Sequence, residues 1–348
     1  MALLDDDLVG INEIAELAGV SRQAVANWRA RFPDFPKPVA DLRAGPVFRL
    51  RQIQGWLRRR NFPMARVVSL INLKGGVAKT TTTVALAETL AARFGKRVLV
   101  IDLDPQTNAT VMLLGEARWK KLNENGYTLA TLFQDALEPH DKRFNLEKTL
   151  QREVSDVQGA EKVDLLPSSL DLIDVQDKLA SAPTGQFYSV TPIDLLRLAV
   201  KTKLDEYDLV LVDCPPNLGI ITLNGLRISE GYLIPTVPDV LSTYGIPQIV
   251  KRVRNFSREI AEEITPLGIV ITKFQANSTT HLNVSGNLRK ENDPHVFDTV
   301  IRQADQIAAA AEFQSGRRTL KQKYGYGDLA DRYVDLAREL LKKLEIDE

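Results

Sequence analysis

The sequence predicts an α/β protein in which a small helical domain precedes a larger domain with a predominantly parallel, doubly wound sheet. From residue 66 onward, short apolar runs alternate with helical stretches, which is typical of a sheet with helices on both faces. A glycine turn joins the first apolar run to the first of these helices. Residues 11–31 instead contain two helical stretches around a Gly-Val turn. We therefore predict two domains, residues 1–62 and residues 63–348.

Composition excludes several kinds of site. The chain has 348 residues, of which 44% are hydrophobic, so it can bury a large core and a smaller second one. Its single cysteine, Cys214, excludes a disulfide framework and a thiolate cage, and is expected to be a packed residue rather than a nucleophile. The three histidines have no metal-ligand spacing. No apolar stretch has membrane length and the N-terminus is acidic, so the expected location is the cytoplasm.

The N-terminal segment has the pattern of a helix-turn-helix. Apolar residues recur at helical spacing between Ile14 and Ala18, Gly19 allows a turn, and Ser21 is placed to cap a second helix. The exposed positions predicted for that helix carry side chains that reach base edges and phosphates: Arg22, Gln23, Asn27 and Arg29. An ordinary helical hairpin does not need these side chains.

Basic residues are concentrated in the same region. Residues 20–66 contain eleven lysines and arginines against two aspartates, although the whole chain has zero net charge. Residues 9–60 resemble the winged helix-turn-helix domains of the excisionase and MerR families, with Arg43 and Arg49 beside the wing and Arg58–Arg60 near phosphates. A protein-binding domain remains an alternative. Asn61–Pro63 is the predicted linker.

The most specific motif lies between Arg66 and Leu90. An apolar run predicts a buried strand, Gly75 and Gly76 allow a tight turn, and the next residues have the apolar spacing of a helix. Unpaired backbone N–H groups at the start of such a helix can hold the phosphates of a nucleotide. Lys79 and Thr80 would supply a positive charge and a Mg²⁺ ligand.

The strict P-loop pattern is not met, because Leu73 and Ala78 replace its two glycines. The motif K-G-G-x-x-K-T, which starts at Lys74, resembles the deviant Walker A motif of the ParA/MinD family of ATPases. Two further segments, Arg97 to Thr110 and Tyr207 to Gly219, resemble that family's second strand and its Walker B strand. The resemblance extends from about Arg66 to Glu339, with helical elaboration at residues 116–159.

The resemblance implies ATP or ADP and Mg²⁺ as ligands, and it implies roles for individual residues. Lys79 would bind the β- and γ-phosphates, Asp104 would orient the attacking water, and Lys74 would reach the partner's nucleotide across a dimer interface. Magnesium would be held, directly or through water, by Thr80, Asp102 and Asp213. The implied nucleotide contacts are Lys74, Gly75, Gly76, Val77, Ala78, Lys79, Thr80, Thr81, Asp213 and Pro215.

Non-specific DNA binding is the second implication. The segment from Tyr244 to Ile260 predicts a basic helix, and in relatives the corresponding helix contributes to DNA binding by the ATP dimer, so Arg252 and Arg254 are the expected contacts. A second basic group, residues 317–323, would extend this surface. Residues 271–274 and 301–305 are expected near the adenine. The apolar stripe of the C-terminal helix predicts docking on the core rather than on a membrane.

Two functions remain open. The first is a ParA-type partition ATPase that works as a homodimer on the nucleoid, is stimulated by a ParB-like centromere-binding protein, and binds specific DNA through residues 11–60. The second is a nucleotide-gated transcriptional regulator without a segregation role. The two hypotheses differ in whether the ATP dimer binds non-specific DNA.

Overall fold

The computed structural model describes residues 8–18, 20–32, 34–43, 45–59, 65–138, 141–181 and 191–348, without the side chains of residues 31, 58 and 59. The predictions for Gly19, the Arg58–Arg60 side chains and the linker Asn61–Pro63 lie outside this description. The chain divides into two compact units. The first consists of Met1–Ala65 with Lys203–Asp208, and the second of Arg66–Thr202 with Leu209–Glu348.

The first unit packs three helices against a small sheet. Its elements are β1 (Leu8–Val9), α1 (Ile11–Leu17), α2 (Arg22–Arg31), β2 (Ala40–Leu42), β3 (Gly45–Arg49) and α3 (Leu50–Arg59). The strands are antiparallel, in the order β1-β3-β2. Trp56 is fully buried, its ring centroid lies 4.7 Å from that of Phe35, and its indole N–H donates to Asp34 at 3.1 Å. Aromatic packing therefore contributes to this core beside aliphatic residues such as Ile14, Ile53 and Leu57.

Sequence patterns anticipated the helices and the hairpin of this unit, but not the strand β1. The Ser21 hydroxyl accepts a hydrogen bond from the backbone N–H of Ala24 at 3.2 Å, so Ser21 caps α2 as predicted. The hairpin expected around residues 45–48 consists of β2 and β3. The assignment of this unit as a DNA-binding winged helix-turn-helix stays a prediction.

The second unit contains a seven-stranded sheet. Its strands are β4 (Arg66–Leu70), β5 (Val98–Asp102), β6 (Val163–Leu166), β7 (Leu209–Asp213), β8 (Gly231–Thr236), β9 (Thr265–Phe274) and β10 (Val296–Arg302). All pairings are parallel, in the order β10-β9-β8-β4-β7-β5-β6. The sequence predicted the first six strands. It missed β10, because the polar residues Asp298 and Thr299 interrupt the apolar run.

Helices occupy the connections between these strands. They are α4 (Lys79–Phe94), α5 (Asn108–Leu114), α6 (Glu116–Glu124), α7 (Leu129–Leu137), α8 (Leu146–Thr149), α9 (Leu172–Ser181), α10 (Leu195–Val200), α11 (Ile220–Ile228), α12 (Val240–Tyr244), α13 (Ile246–Glu259), α14 (Thr279–Glu291), α15 (Asp305–Ala309), α16 (Leu320–Tyr324) and α17 (Leu329–Lys343). The region of residues 116–159 is partly helical, as expected.

The helices cover both faces of the sheet. One core combines α4, α5 and α17 with strand residues such as Val68, Val100 and Leu211. Val212 points to the opposite face, because side chains alternate along a strand. There Gly225 of α11 comes so close that an added Cβ would lie 3.0 Å from a Val212 methyl. The sheet is therefore doubly wound, as the sequence predicted.

The C-terminal helix docks on the core. Tyr333, Leu336, Ala337 and Leu340 of α17 are buried in the same cluster as α4, which confirms the prediction from its apolar stripe. Within the described ranges, no helix is both long enough and apolar enough to cross a membrane.

Two members of the second basic group, Arg318 and Lys323, do not lie on the surface as predicted. The Lys323 ammonium lies 2.7 Å from carboxylate oxygens of both Glu88 and Asp156, and its side chain is fully buried. Arg318 is also buried and pairs with Asp156 at 2.9 Å. The prediction that both residues extend a DNA surface is therefore wrong. Sequence pattern could not reveal it, because the two carboxylates lie more than 150 residues away in the chain.

Candidate nucleotide site and basic surfaces

The loop between β4 and α4 is held open by its flanking strands. The Asn72 side chain donates to the carbonyl of Pro235 at 2.8 Å and accepts from the N–H of Lys74 at 2.9 Å. The Thr272 hydroxyl donates to the Val77 carbonyl at 2.9 Å. The end of the loop is left-handed, with φ of 75° at Gly76 and 62° at Ala78. Ala78 thus adopts a conformation that glycine favours.

Lys79 begins α4 and is buried beneath the loop. Its side chain donates to the carbonyl of Lys74 at 3.3 Å, and the residue is 6% exposed. Burial lowers the pKa of Lys79, while Asp213 and Asp104 act in the opposite direction. A cation in such a position favours an anion at the mouth of the loop, where the first N–H groups of α4 also point.

Asp213 ends β7 and carries an unsatisfied oxygen. Oδ1 accepts from the Thr83 hydroxyl at 3.1 Å, whereas the buried Oδ2 has no hydrogen-bond partner in the described part of the chain. Burial raises the pKa of Asp213 to about 7, and the neighbouring side chain of Thr80 opposes that shift. A buried carboxylate with a free oxygen beside a threonine hydroxyl fits a magnesium ion, which prefers oxygen ligands.

The other two predicted carboxylates lie at the end of β5, with Asp102 as its last residue and Asp104 two residues later. Asp102 pairs in register with Asp213. It accepts hydrogen bonds from the N–H of Asp104 at 3.0 Å and from the hydroxyl of Thr110 at 2.6 Å. Burial, with the nearby charge of Asp213, raises the pKa of Asp102 well above its usual range. Its contacts shape the loop that carries Asp104, and its role near the metal stays a prediction.

Asp104 faces the cavity above the loop. The residue is 5% exposed, and its Oδ1 accepts from the N–H of Gln106 at 2.9 Å. That contact fixes the carboxyl group on the same side as the phosphate loop, where an oxygen acceptor can orient a water molecule.

A cavity of about 480 Å³ opens at the carboxyl ends of the strands, where ligands bind in doubly wound sheets. Its floor is the phosphate loop from Gly75 to Thr81, without Val77. Gln106 and Asn108, to which the sequence analysis gave no role, line it too. The segments predicted near adenine, residues 271–274 and 301–305, contribute Lys273 and residues 301–305 to the wall.

Four of the implied nucleotide contacts do not line the cavity, whereas Pro216 does: Lys74, Val77, Asp213 and Pro215. Val77 is 1% exposed, and Asp213 and Pro215 are also buried. The side chain of Val77 packs away from the cavity, so only its backbone could face a phosphate. Cys214 is fully buried, and burial raises the pKa of its thiol. This confirms Cys214 as a packed residue.

Lys74 is paired within its own chain. Its ammonium lies 3.2 Å from both oxygens of Asp239 and 2.8 Å from the hydroxyl of Ser242. The predicted contact with a partner's nucleotide therefore requires this lysine to leave its present partners. The sequence analysis missed Asp239 and Ser242. They lie shortly after the end of β8, and polar residues after a buried strand are the sequence signal that could have identified them.

Most of the residues proposed for DNA contact in the first unit are exposed. On α2, Arg22, Gln23, Asn27 and Arg29 are exposed, but Gln23 donates to Asn27 at 3.2 Å and Arg29 stacks 5.4 Å from the ring centroid of Phe48. Arg49 is half-buried on β3. Arg29 thus has a packing role besides any contact with phosphate.

Helix α13 separates an apolar face from a basic one. Ile246, Ile249, Val253 and Phe256 are buried, whereas Lys251, Arg252, Arg254 and Arg258 are exposed. These four cations make no salt bridge within the described ranges, in contrast to Lys321 and Arg332, which pair with Asp331 and Asp328. The basic face is therefore free to meet an external polyanion.

A parallel doubly wound sheet with a lysine-bearing phosphate loop and carboxylates at the ends of neighbouring strands defines the class of P-loop nucleotide hydrolases. Comparison with known protein families supports this assignment. Residues 65–265, more than half of the chain, match the family described as an AAA domain.

Sequence relatives identify the family within this class. The chromosome-partitioning ATPase Soj of Thermus thermophilus is 33% identical over 280 residues, which cover 80% of this chain and 97% of that protein. The chromosome partitioning protein ParA of Myxococcus xanthus is 26% identical over 287 residues, which cover 80% of this chain and 89% of that protein. The chain belongs to the ParA/Soj family of P-loop ATPases.

A solved structure supports the fold. Cobyrinic acid a,c-diamide synthase from Mycobacterium smegmatis, with bound ADP and magnesium, superposes with a TM-score of 0.61 at 24% identity. The match covers 81% of this chain and 96% of the synthase.

Proposed function

We propose that this chain is a ParA-type ATPase that hydrolyses ATP in a nucleotide-sandwich homodimer and binds DNA to drive plasmid or chromosome partition. The observation that carries the proposal is that Lys79, Thr80 and Asp104 line one cavity, with the buried carboxyl group of Asp213 beside Lys79 and Thr80. The partition proteins among the relatives support the same activity.

Each residue has a physical role in hydrolysis. Lys79 and the first N–H groups of α4 bind the β- and γ-phosphates of ATP. Thr80 and the free oxygen of Asp213 would hold Mg²⁺, with Asp102 behind them, and the metal would neutralise charge on the phosphates. Asp104 orients the attacking water, since its carboxyl group is fixed toward the cavity. Turnover is expected to be slow until DNA and a ParB-like partner stimulate it.

DNA binding has two proposed surfaces. The unpaired cations of α13, with Arg252 and Arg254 at its centre, bind duplex phosphates without sequence preference when ATP joins two protomers. The α2 surface, with Arg22 and Asn27, binds a specific operator and allows autoregulation. Through these two surfaces the protein would associate with the nucleoid.

A second function is favoured by the α2 surface. Exposed arginine, glutamine and asparagine side chains on α2 suit recognition of base edges, so the ATPase unit could serve only to gate a transcriptional regulator. This alternative requires no non-specific binding through α13.

Arg254→Ala tests the partition function. We expect wild type to bind random duplex DNA with ATP but not with ADP, with affinity that falls as salt rises. Arg254→Ala should weaken this binding and reduce its salt dependence, because one phosphate contact is lost. The measurement is a salt titration by fluorescence anisotropy with each nucleotide.

Arg93→Ala is the matched control, because Arg93 is also an exposed helical arginine but lies on α4. It should bind random DNA like wild type. Absence of ATP-dependent random-DNA binding in wild type would reject partition in favour of the gated regulator.

A further inference from the structure

Four charged side chains form a buried charge cluster in the second unit. Its members are Glu88 of α4, Lys323 of α16, Asp156 and Arg318. Lys323 lies 2.7 Å from carboxylate oxygens of both Glu88 and Asp156, and Arg318 pairs with Asp156 at 2.9 Å. The four side chains are between 0% and 9% exposed. Two positive and two negative charges therefore balance one another in the interior.

One side of the buried charge cluster is anchored on α4. Besides Lys323, Glu88 accepts hydrogen bonds from the hydroxyls of Ser155 at 2.8 Å and Tyr324 at 2.6 Å. Burial, and then the charge of Glu88, raises the pKa of Tyr324 well above its usual range, so its hydroxyl keeps the proton that it donates. Because α4 begins at Lys79, the cluster is attached to the helix that carries the phosphate loop.

The other side of the cluster holds the chain that follows one wall of the cavity. Most of residues 301–311 line the cavity. Glu312 comes next, and its carbonyl accepts a hydrogen bond from the guanidinium of Arg318. Asp156 accepts from the N–H of Gln314 at 3.1 Å, and its carbonyl accepts from the N–H of Arg318 at 2.9 Å. The wall therefore ends in a segment that Asp156 and Arg318 hold in place.

Such a cluster fixes geometry more than it adds stability. The cost of removing four charges from water offsets most of their mutual attraction. Each charge nevertheless has its partners at hydrogen-bond distance, so a displacement of one segment would leave a buried charge unpaired. The helix α4 and the wall of residues 301–311 are therefore kept at one separation.

A nucleotide bound in the cavity has to contact both of these parts. The loop at the start of α4 would bind its phosphates, and the ribose and base would then extend into the rest of the cavity, where residues 301–311 form a wall. Ligand pockets of this kind are largely preformed. Contacts with the base and ribose consequently depend on how far the wall lies from the loop.

We propose that Asp156 and Arg318 are positioning residues for nucleotide binding, which set the place of the cavity wall against the base and ribose through the buried charge cluster. The inference rests on the proposed function, in which the cavity binds ATP. Neither residue lines the cavity, so both act without touching the ligand. Their loss lowers the affinity for the nucleoside part of ATP and leaves the binding of the phosphates unchanged.

Arg318→Lys keeps the charge balance but removes the planar guanidinium that donates to Asp156 and Glu312 together. We expect ATP to bind about tenfold more weakly, because a small shift of the wall misplaces its contacts. Magnesium tripolyphosphate, which has no base or ribose, should bind as it does to wild type. Calorimetric titration of the full chain with tripolyphosphate and with a non-hydrolysable ATP analogue measures both. In steady-state hydrolysis, KM for ATP should rise while kcat is unchanged.

Asp156→Asn is a stronger change, because it leaves two buried cations with one carboxylate. It should weaken ATP binding further and again spare tripolyphosphate; if this variant does not fold, Arg318→Lys decides alone. Arg227→Lys is the matched control, because Arg227 is also a buried arginine that pairs with two carboxylates, Asp194 and Glu262, and it does not line the cavity. It should bind both ligands like wild type.

Four results would overturn the proposal. Arg318→Lys could bind ATP like wild type, it could lose affinity for ATP and tripolyphosphate alike, or Arg227→Lys could lose as much ATP affinity. Wild type could also bind ATP but not tripolyphosphate, in which case the phosphates and the nucleoside would not bind through separate parts.

Failure of the proposed function is distinguishable from failure of this inference. If wild type binds no ATP, or if Lys79→Ala binds it like wild type, the proposed function fails. If Lys79→Ala loses both ligands while Arg318→Lys behaves as wild type, only the role of the buried charge cluster is rejected.

Discussion

At the scale of single residues, the site depends on charges that are buried and incompletely balanced. Lys79 lies among carboxylates beneath the loop, and Asp213 keeps a free oxygen in the interior. Buried polar groups without partners cost free energy unless a ligand satisfies them. The protein carries this cost in the free state, which is typical of a site prepared for a charged ligand.

Lys79→Ala should abolish ATP binding, because it removes the side-chain cation closest to the phosphate loop. Lys162→Ala is the control, since that lysine also donates to a backbone carbonyl, at 2.8 Å from Gly95, but lies away from the cavity. Binding of a fluorescent ATP analogue measures the effect. An unchanged ATP affinity in Lys79→Ala would contradict the assignment of the loop.

Asp104→Asn should bind ATP and dimerise but hydrolyse at least about tenfold more slowly, a loss of about 1.4 kcal/mol in transition-state stabilisation. Asparagine keeps an oxygen that can accept from the N–H of Gln106, so the loop should retain its shape. Single-turnover hydrolysis measures the chemical step. Wild-type turnover in this variant would show that another group orients the water.

At the scale of elements, close helix packing supports the strand ends that carry the site. An added Cβ at Gly225 of α11 would lie 2.9 Å from Leu103 and 3.0 Å from Val212. Those residues flank or belong to the strands that end in Asp102 and Asp213. The approach of α11 to the sheet therefore depends on the missing side chain, because packed interiors do not yield easily.

Gly225→Ala should lower the free energy of unfolding by about 1–3 kcal/mol, because the added methyl group overpacks the sheet. Gly286→Ala is the matched control: Gly286 lies in α14, and a Cβ there would meet nothing within 4 Å. Alanine should stabilise that helix by up to about 1 kcal/mol. Urea unfolding monitored by circular dichroism compares the two. Equal stability of the two variants would show that α11 has room to move.

At the scale of the whole molecule, the chain has zero net charge but an uneven distribution. Its first unit carries an excess of arginine, and its second unit carries the free cations of α13. Two separate basic surfaces allow specific and non-specific DNA binding to be tested independently in the full chain.

Arg22→Ala should lower affinity for one operator sequence by about 1–3 kcal/mol while random-DNA binding and ATP turnover stay unchanged. Arg43→Ala, an exposed arginine near the predicted wing, should instead weaken binding to all sequences alike. Selection of an operator from random oligonucleotides, followed by titration with each variant, measures the difference. Equal losses for Arg22→Ala on both kinds of DNA would remove α2 as the recognition helix.

Local pattern was sufficient for the parallel sheet, the phosphate loop and the docked C-terminal helix. Strand runs, the glycine pair at residues 75 and 76, and the stripe of α17 are all signals that neighbouring residues carry. The order of the three ATPase motifs along the chain was also sufficient to predict the family. The strand β10 escaped detection because the adjacent polar residues Asp298 and Thr299 interrupt its apolar run.

Tertiary structure alone decided which charges are free. Lys323 and Arg254 look alike in the sequence, yet the first is buried between two carboxylates and the second is exposed on α13. Lys74 likewise meets Asp239, a residue 165 positions away. The ionic partners of a side chain depend on distances set by the folded chain, and electrostatic energy depends on those distances and on burial. The periodicity of residues along the chain gives neither the distances between charges nor their burial.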